Sequence, residues 1–99
     1  MAHLLVWSPR ALDDVDAVAA YIAEDSEAYA ASVVRLILDK ARRLSEFPYI
    51  GRIVPEFGDG AIREVFAYSY RIIYQIDDDG VTIAAVIHGK RLLELAIKP

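Results

Sequence analysis

Cysteine is absent from the 99-residue chain, and histidine occurs only twice. The absence of cysteine excludes disulfide bonds, thiolate nucleophiles and metal sites with cysteine ligands. His3 and His88 lie far apart in the sequence, and neither belongs to a motif with the spacing of metal ligands. We therefore predict no metal and no cofactor, and we interpret both histidines first as structural or surface residues.

A long apolar segment is also missing. No stretch approaches the roughly 20 apolar residues of a membrane span, and no charged leader precedes an apolar run at the start of the sequence. The sequence thus predicts a cytoplasmic protein without membrane contact.

Basic residues are outnumbered, since 11 lysines and arginines stand against 15 aspartates and glutamates and give a net charge of −4. This balance argues against a protein that holds DNA or RNA mainly through a positive field. The charge is also uneven, because the acids dominate residues 1–27 and a basic region follows. That basic region contains Arg35, Lys40, Arg42, Arg43 and Arg52.

Apolar side chains are plentiful, at 56% of the residues, while 26% are charged. This proportion is too apolar for a disordered chain and predicts a folded core. Because 99 residues supply one core and are too few for a second, we expect a single domain over residues 1–99.

Two amphipathic helices are predicted before a break at Pro48. Ser8 and Pro9 provide a start signal for the first helix, and Asp25 and Ser26 provide one for the second. Because the connection is short, the helices are expected to pack antiparallel. The predicted apolar stripes contain Leu12, Val15, Ala19 and Ile22 in the first helix and Ala30, Val33, Ile37, Ala41, Leu44 and Phe47 in the second.

The rest of the chain alternates like β-strands. Residues 70–76 show an apolar period of two, and the Asp-Gly pair that follows predicts a hairpin in which Gly80 adopts a positive φ. Residues 81–87 are apolar on both faces, which indicates a central strand. Shorter strands are predicted at residues 3–7 and 63–68, with an ordered loop at residues 48–61.

A set of polar residues raises the possibility of metal-free RNA cleavage, which needs a base, an acid and a cation to stabilise the phosphorane. Adjacent strands are expected to bring Glu64, Arg71 and His88 onto one sheet face, with Arg91 nearby. The alternative is structural, in which Arg71 and Glu64 form a cross-strand ion pair and His88 is hydrogen-bonded or exposed. The pattern by itself favours the structural interpretation.

Trp7 and six tyrosines suggest either base stacking, an interface or core packing. Tyr21 and Tyr29 flank the interhelical turn, while Tyr70 and Tyr74 share a strand face. Core packing is expected for most of them, with hydroxyls at the rim. The arginines of the second helix are predicted to be solvated, although their crowding also suits an acidic partner.

Four separated segments resemble the ParE branch of the RelE/ParE toxin superfamily: WSPRALDDVDAVAAYIAEDS, LSEFPYIGRIVPEF, IREVFAYSYRIIYQI and VIHGKRL. The most specific parts are the FPYIGRIVPE, YRIIY and HGKR motifs. The resemblance implies an α+β fold of order β-α-α-β-β-β, with a helical hairpin on an antiparallel sheet. It also implies the toxin of a type II toxin–antitoxin pair, in a hetero-oligomer with its antitoxin.

The resemblance leaves three functions open. RelE-like members cleave mRNA on the ribosome, and Arg71 and Arg91 match their arginines; however, Ile62 and Glu64 stand where lysines are expected, and the C-terminal segment lacks a tyrosine. A glutamate can still serve as the base. ParE-like members inhibit DNA gyrase without nuclease chemistry, and this is the function we favour. A non-toxic antitoxin-binding module is the third.

Under the gyrase interpretation no catalytic residue is expected. The matched residues then become structural groups or contacts to the target or partner, and these are Arg71, His88, Lys90 and Arg91.

Overall fold

The computed structural model describes residues 3–89, in which two helices pack on one five-stranded sheet. The sheet order is β1-β5-β4-β3-β2. Strand β1 pairs with β5 in parallel, and the other neighbours pair antiparallel. The elements are β1 (Leu4–Trp7), α1 (Pro9–Ala23), α2 (Glu27–Arg43), β2 (Arg52–Ile53), β3 (Ile62–Ala67), β4 (Tyr70–Ile76) and β5 (Gly80–His88).

The α+β class and the helical hairpin on a mostly antiparallel sheet confirm the predicted fold. Two details differ from the prediction. The predicted loop contains the two-residue strand β2, and the first strand joins the sheet in parallel. Neither helix among residues 3–89 is both long enough and apolar enough to cross a membrane.

Both helices begin where the sequence predicts. The Ser8 hydroxyl accepts a hydrogen bond from the Ala11 amide at 3.0 Å, and the Ser26 hydroxyl accepts one from the Tyr29 amide at 3.0 Å. Each bond satisfies an amide in the first helical turn that has no partner within the helix. A three-residue connection, residues 24–26, reverses the chain between α1 and α2.

The main core lies between the helices and one face of the sheet. Val33, Ile37 and Leu44 are fully buried there, as the predicted stripe of α2 requires. The predicted stripes are wrong at Leu12, which is 52% exposed, and at Phe47, which is 54% exposed, and Ala19 is only partly buried. In α1 the buried positions are Ala11, Val15, Val18 and Ile22, so the stripe is rotated relative to the prediction.

The second sheet face is covered by the loop that precedes β3. Val54 is fully buried against Ile73, Ala85 and Ile87, and Phe57 packs on the same group. The apolar side chains of the loop, which was predicted to be ordered, therefore close a smaller second core.

The central strand β5 contains a bulge that matters for the site. Ile73 pairs with Ala85 and Tyr74 with Ile83, which leaves Ala84 unpaired. The carbonyl of Ala84 accepts a hydrogen bond from the Ser8 hydroxyl at 3.1 Å. The start of α1 thus satisfies the polar group that the bulge removes from the ladder.

The β4–β5 hairpin is confirmed, but the expected role of Gly80 is wrong. Its φ lies outside the left-handed region, and among the described glycines only Gly58 has a positive φ, at 63°. The turn is held instead by the Asp77 carboxylate, which accepts hydrogen bonds from the Asp79 and Gly80 amides at 2.9 Å each. Glycine is required because a Cβ at this position would collide with the backbone of Leu4.

Candidate functional site

An ion-pair network is buried in the second face of the sheet. Glu64 on β3 is 1% exposed and Arg71 on β4 is 5% exposed. Arg71 Nε donates to Glu64 Oε1 at 2.5 Å, and Arg52 Nε on β2 donates to Glu64 Oε2 at 2.6 Å. Arg71 and Glu64 therefore form the cross-strand ion pair that the structural interpretation predicts.

Glu56, in the loop between β2 and β3, is the fourth member of the network. Arg71 Nη1 and Nη2 donate to the two Glu56 oxygens at 2.7 and 2.9 Å. These hydrogen bonds hold the pKa of Glu56 below its ordinary value and raise the pKa of Arg71. The guanidinium remains charged, and its bidentate contact fixes the loop to the sheet.

The network limits what Arg71 can do chemically. Three of its five N–H donors are satisfied by two carboxylates, and its side chain is only 6% exposed. A phosphate would have to displace Glu56 before it reached the guanidinium. Glu64 is engaged by two arginines and is equally poorly placed to accept a proton.

His88 does not join this network, so the expectation of a shared face with Glu64 and Arg71 is wrong. His88 pairs across the strands with Tyr70, whereas Arg71 pairs with Ile87. The bulge at Ala84 is the reason, because an extra residue in one strand moves every later side chain to the opposite face. His88 consequently lies on the helix side of the sheet.

The remaining predicted basic residues, Lys90 and Arg91, lie outside the described residues. Sequence reasoning did not identify Arg52 and Glu56 as members of the network, although both belong to the FPYIGRIVPE motif. The signal was a pair of opposite charges, Arg52 and Glu56, separated by three apolar residues in a segment that is otherwise apolar.

The tyrosines form a second polar feature, and most are not core residues as expected. Tyr74 is fully buried, and its hydroxyl donates to the Pro48 carbonyl at 2.7 Å. By contrast, Tyr21 is 72% exposed, Tyr29 49% and Tyr68 55%. Together with the half-buried Tyr70 and with His88, these three line one surface cavity of about 290 Å³. We call these five residues the aromatic cage.

Two grooves with basic linings lie elsewhere on the helices. One, of about 460 Å³, runs between α1 and α2 and is lined mainly by apolar residues, with Arg35, Arg42 and the acidic Glu27. The other, of about 370 Å³, lies beside β3 and contains Lys40, Arg43 and Arg52. The α2 arginines are exposed, as predicted. Among residues 3–89 no group of three or more acids and histidines is placed to hold a metal ion.

Comparison with known proteins gives the following matches. The family model of the ParE toxin of the parDE type II toxin–antitoxin system matches residues 5–93. The chromosomal ParDE system from P. aeruginosa contains a similar fold, with a TM-score of 0.70 at 17% identity over 88% of this chain and 96% of that one. No curated protein sequence matches the chain significantly.

The RelBE2 toxin–antitoxin complex from Mycobacterium tuberculosis is also similar, with a TM-score of 0.59 at 21% identity over 89% of this chain and 99% of that one. At these identities the two structures establish the fold alone. They show that the same architecture occurs in ParDE and RelBE systems.

Proposed function

Because this chain belongs to the ParE family, the toxins of parDE type II toxin–antitoxin systems, we propose that it arrests growth by binding DNA gyrase and does not cleave RNA. The proposed toxin acts in the cytoplasm and uses no metal or cofactor. Its cognate antitoxin neutralises it by direct binding.

The observation that carries this proposal is the engagement of Arg71 by Glu56 and Glu64. A guanidinium that stabilises a phosphorane has to meet the phosphate with free donors. Here two carboxylates neutralise Arg71 and bury it, so the groups that would cut RNA are used to hold the loop on the sheet.

The position of His88 adds support. A general acid or base has to lie within hydrogen-bonding reach of the same reacting atoms as the stabilising cation. The sheet separates His88 from Arg71, because their cross-strand partners are Tyr70 and Ile87 respectively. The RNase alternative would therefore need a different set of residues from the one that the sequence suggested.

We assign Arg71 a structural role and keep His88, Lys90 and Arg91 as proposed contacts to the target or the antitoxin. His88 is exposed on the helix side of the sheet. The other two follow it in the sequence and bring positive charge to an otherwise acidic chain.

The antitoxin is proposed to bind along the helical groove as an amphipathic segment with acidic residues. The groove has an apolar floor that includes Ala30 and Val34. The two positive charges in its lining, Arg35 and Arg42, outnumber the one negative charge of Glu27. Strands β1 and β2, which lie at the two edges of the sheet formed by the described residues, also offer backbone groups to an added strand. The structural neighbours, which are described as toxin–antitoxin systems, are consistent with such a partner.

Two purified assays test this function. In the first, gyrase supercoils relaxed plasmid DNA with increasing amounts of the chain, and we expect supercoiling to fail. In the second, a translating extract receives the same preparation, and primer extension on a defined mRNA is expected to show no new ends.

Expression in a host without the antitoxin gives the third result. Growth arrest with intact mRNA and inhibited gyrase supports the proposal. Cuts at defined mRNA positions with active gyrase would establish the RNase alternative, and normal growth would identify a non-toxic antitoxin-binding module.

A further inference from the structure

The aromatic cage is assembled from five structural elements. Tyr21 comes from α1, Tyr29 from α2, Tyr68 from the β3–β4 turn and Tyr70 from β4, while His88 ends β5. Large aromatic rings that converge at the surface and remain exposed mark interaction sites more often than isolated exposed residues do.

Ring contacts fix the geometry of the cage. Tyr29 and Tyr68 meet edge to face, with centroids 5.9 Å apart and an interplanar angle of 64°. Tyr70 and His88 do the same at 5.7 Å and 80°. In an edge-to-face pair, the ring that presents its edge keeps both faces uncovered by its partner. The Tyr29 and Tyr68 rings, which are about half exposed, are therefore held in a defined relative orientation.

The backbone at Tyr68 is held in an unfavourable conformation. Its φ of 52° lies in the left-handed region, and it is the one non-glycine residue among those described with a positive φ. Tyrosine gains nothing intrinsically from this conformation, which glycine or asparagine would adopt at lower cost. The adjoining Ser69 carbonyl accepts a hydrogen bond from the Gly89 amide at 2.7 Å, which anchors the turn to the end of β5. This backbone conformation places the Tyr68 ring beside Tyr29.

The electrostatics of the cage favour a cation. Asp25, in the turn between the helices, also lines the cavity, and no described residue lining it is a lysine or arginine. Within residues 3–89 the Asp25 carboxylate makes no ion pair or side-chain hydrogen bond. Glu24 and Glu27 stand on either side of that turn and add negative charge. Ring faces beside an unpaired carboxylate are the features that attract a guanidinium or ammonium group.

We propose that the aromatic cage is a binding site for an arginine side chain in a basic segment of a partner polypeptide, with the guanidinium stacked between tyrosine rings and paired to Asp25. Arginine suits the site better than lysine, because its flat guanidinium can stack on a ring and bond a carboxylate in the same plane. Tyr21 and Tyr29 flank the acidic interhelical turn, and the arginines of the helical groove, Arg35 and Arg42, do not line the cage cavity. The proposed arginine binding does not depend on which target the toxin inhibits, so its test is separate from the supercoiling assay.

The test is a nuclear magnetic resonance titration of the full-length chain with a blocked Gly-Arg-Gly-Arg-Gly peptide at low salt. We expect saturable shifts of the amide and tyrosine ring signals of the cage. The same peptide with citrulline in place of arginine keeps the shape and removes the charge, so it should bind at least several-fold more weakly. Tyr29→Leu and Tyr68→Leu should each raise the Kd about 2- to 5-fold, the usual effect of losing an exposed cation–π contact.

Matched variants outside the cage separate local binding from a general effect of charge or surface. Asp25→Asn should weaken binding, whereas Asp78→Asn removes the same charge at the β4–β5 turn and should leave the Kd unchanged. Tyr49→Leu removes a tyrosine that is 64% exposed outside the cage, and it should also be neutral. Thermal melts of all variants verify that each remains folded.

Three results would overturn the proposal. These are the absence of saturable shifts at millimolar peptide, equal affinity for the arginine and citrulline peptides, and equal losses from Asp25→Asn and Asp78→Asn.

Discussion

Replacement of Arg71 by methionine is expected to destabilise the protein severely, although the same change made together with Glu64→Leu should cost little. The single change leaves the Glu64 carboxylate, which is 1% exposed, with Arg52 as its remaining partner among the described residues. Removing one member of a buried ion pair typically costs about 3–5 kcal/mol, because the other charge stays buried without compensation.

The double variant removes both buried charges and replaces them with apolar side chains of similar size. The groups left behind can be hydrated, since the side chain of Arg52 is 59% exposed and that of Glu56 is 30% exposed. Such exchanges are often close to neutral, so we expect the double variant within about 2 kcal/mol of the parent. The total stability of a domain of this size is about 5–15 kcal/mol, so each single variant should lose a large part of it.

Urea unfolding at pH 7, followed by circular dichroism, measures this cycle. A loss of about 3–5 kcal/mol would lower the melting temperature by at least about 12 °C as well. The reasoning is refuted if Arg71→Met unfolds at the same urea concentration as the parent. It is also refuted if the two single losses simply add in the double variant, because the carboxylate and guanidinium would then not depend on each other.

Three further perturbations test other parts of the structure. The pKa of Glu56 is lowered in the folded state by Arg71, so the ionised carboxylate stabilises the fold at neutral pH, and this stabilisation is lost as the pH falls below about 4.5. Urea titrations should show Glu56→Gln less stable than the parent at pH 7, and the difference in unfolding free energy should narrow toward pH 3. A difference that stays constant with pH would contradict this. Ile37→Asp should cost more than about 4 kcal/mol or abolish folding, because the side chain is fully buried. Leu38→Asp, at a position that is 38% exposed, should cost far less, and equal losses in thermal melts would mean that the core is misplaced. Gly80→Asn and Gly80→Val should both destabilise the protein, because a Cβ at this position meets the β1 backbone. Gly60→Ala should not, because the space around Gly60 is open. If Gly80→Asn is tolerated and Gly80→Val is not, the turn requires a positive φ after all.

Local chemistry explains why much of the fold can be predicted from the sequence. Ser8 and Ser26 act as caps through bonds to amides only three residues away, so their signals lie within one short window. The double-sided apolar run of β5 likewise predicts a central strand, and β5 does lie between β1 and β4.

Features that depend on distant contacts could not be read in the same way. The parallel pairing of β1 with β5 joins segments more than 70 residues apart, and nothing within either segment specifies it. The extra residue at Ala84 is equally invisible in the sequence, because its carbonyl is satisfied by Ser8 from the other end of the chain.

That single bulge explains why the candidate site was only half predicted. A regular ladder continued from the Tyr74–Ile83 pair would set Arg71 opposite Val86 and leave His88 on the same face as Arg71. The observed shift separates them, and it turns a possible nuclease constellation into two sites on opposite faces of the sheet.

The exposed tyrosines were misjudged for a related reason. Alternation correctly places Tyr70 and Tyr74 on one strand face, but it does not tell where the helices stop covering that face. Tyr74 lies beneath the helices, and Tyr70 lies at their end, where Tyr21 and Tyr29 flank the interhelical turn.

The central claim of the proposal is that the chain arrests growth by binding DNA gyrase and that Arg71 has a structural role. The most direct test is the gyrase supercoiling assay with the parent and with the folded Arg71→Met, Glu64→Leu double variant, alongside mRNA primer extension on both. We predict that both proteins block supercoiling and that neither cuts mRNA. Active gyrase with both proteins, together with mRNA cuts by the parent that disappear in the double variant, would contradict the account.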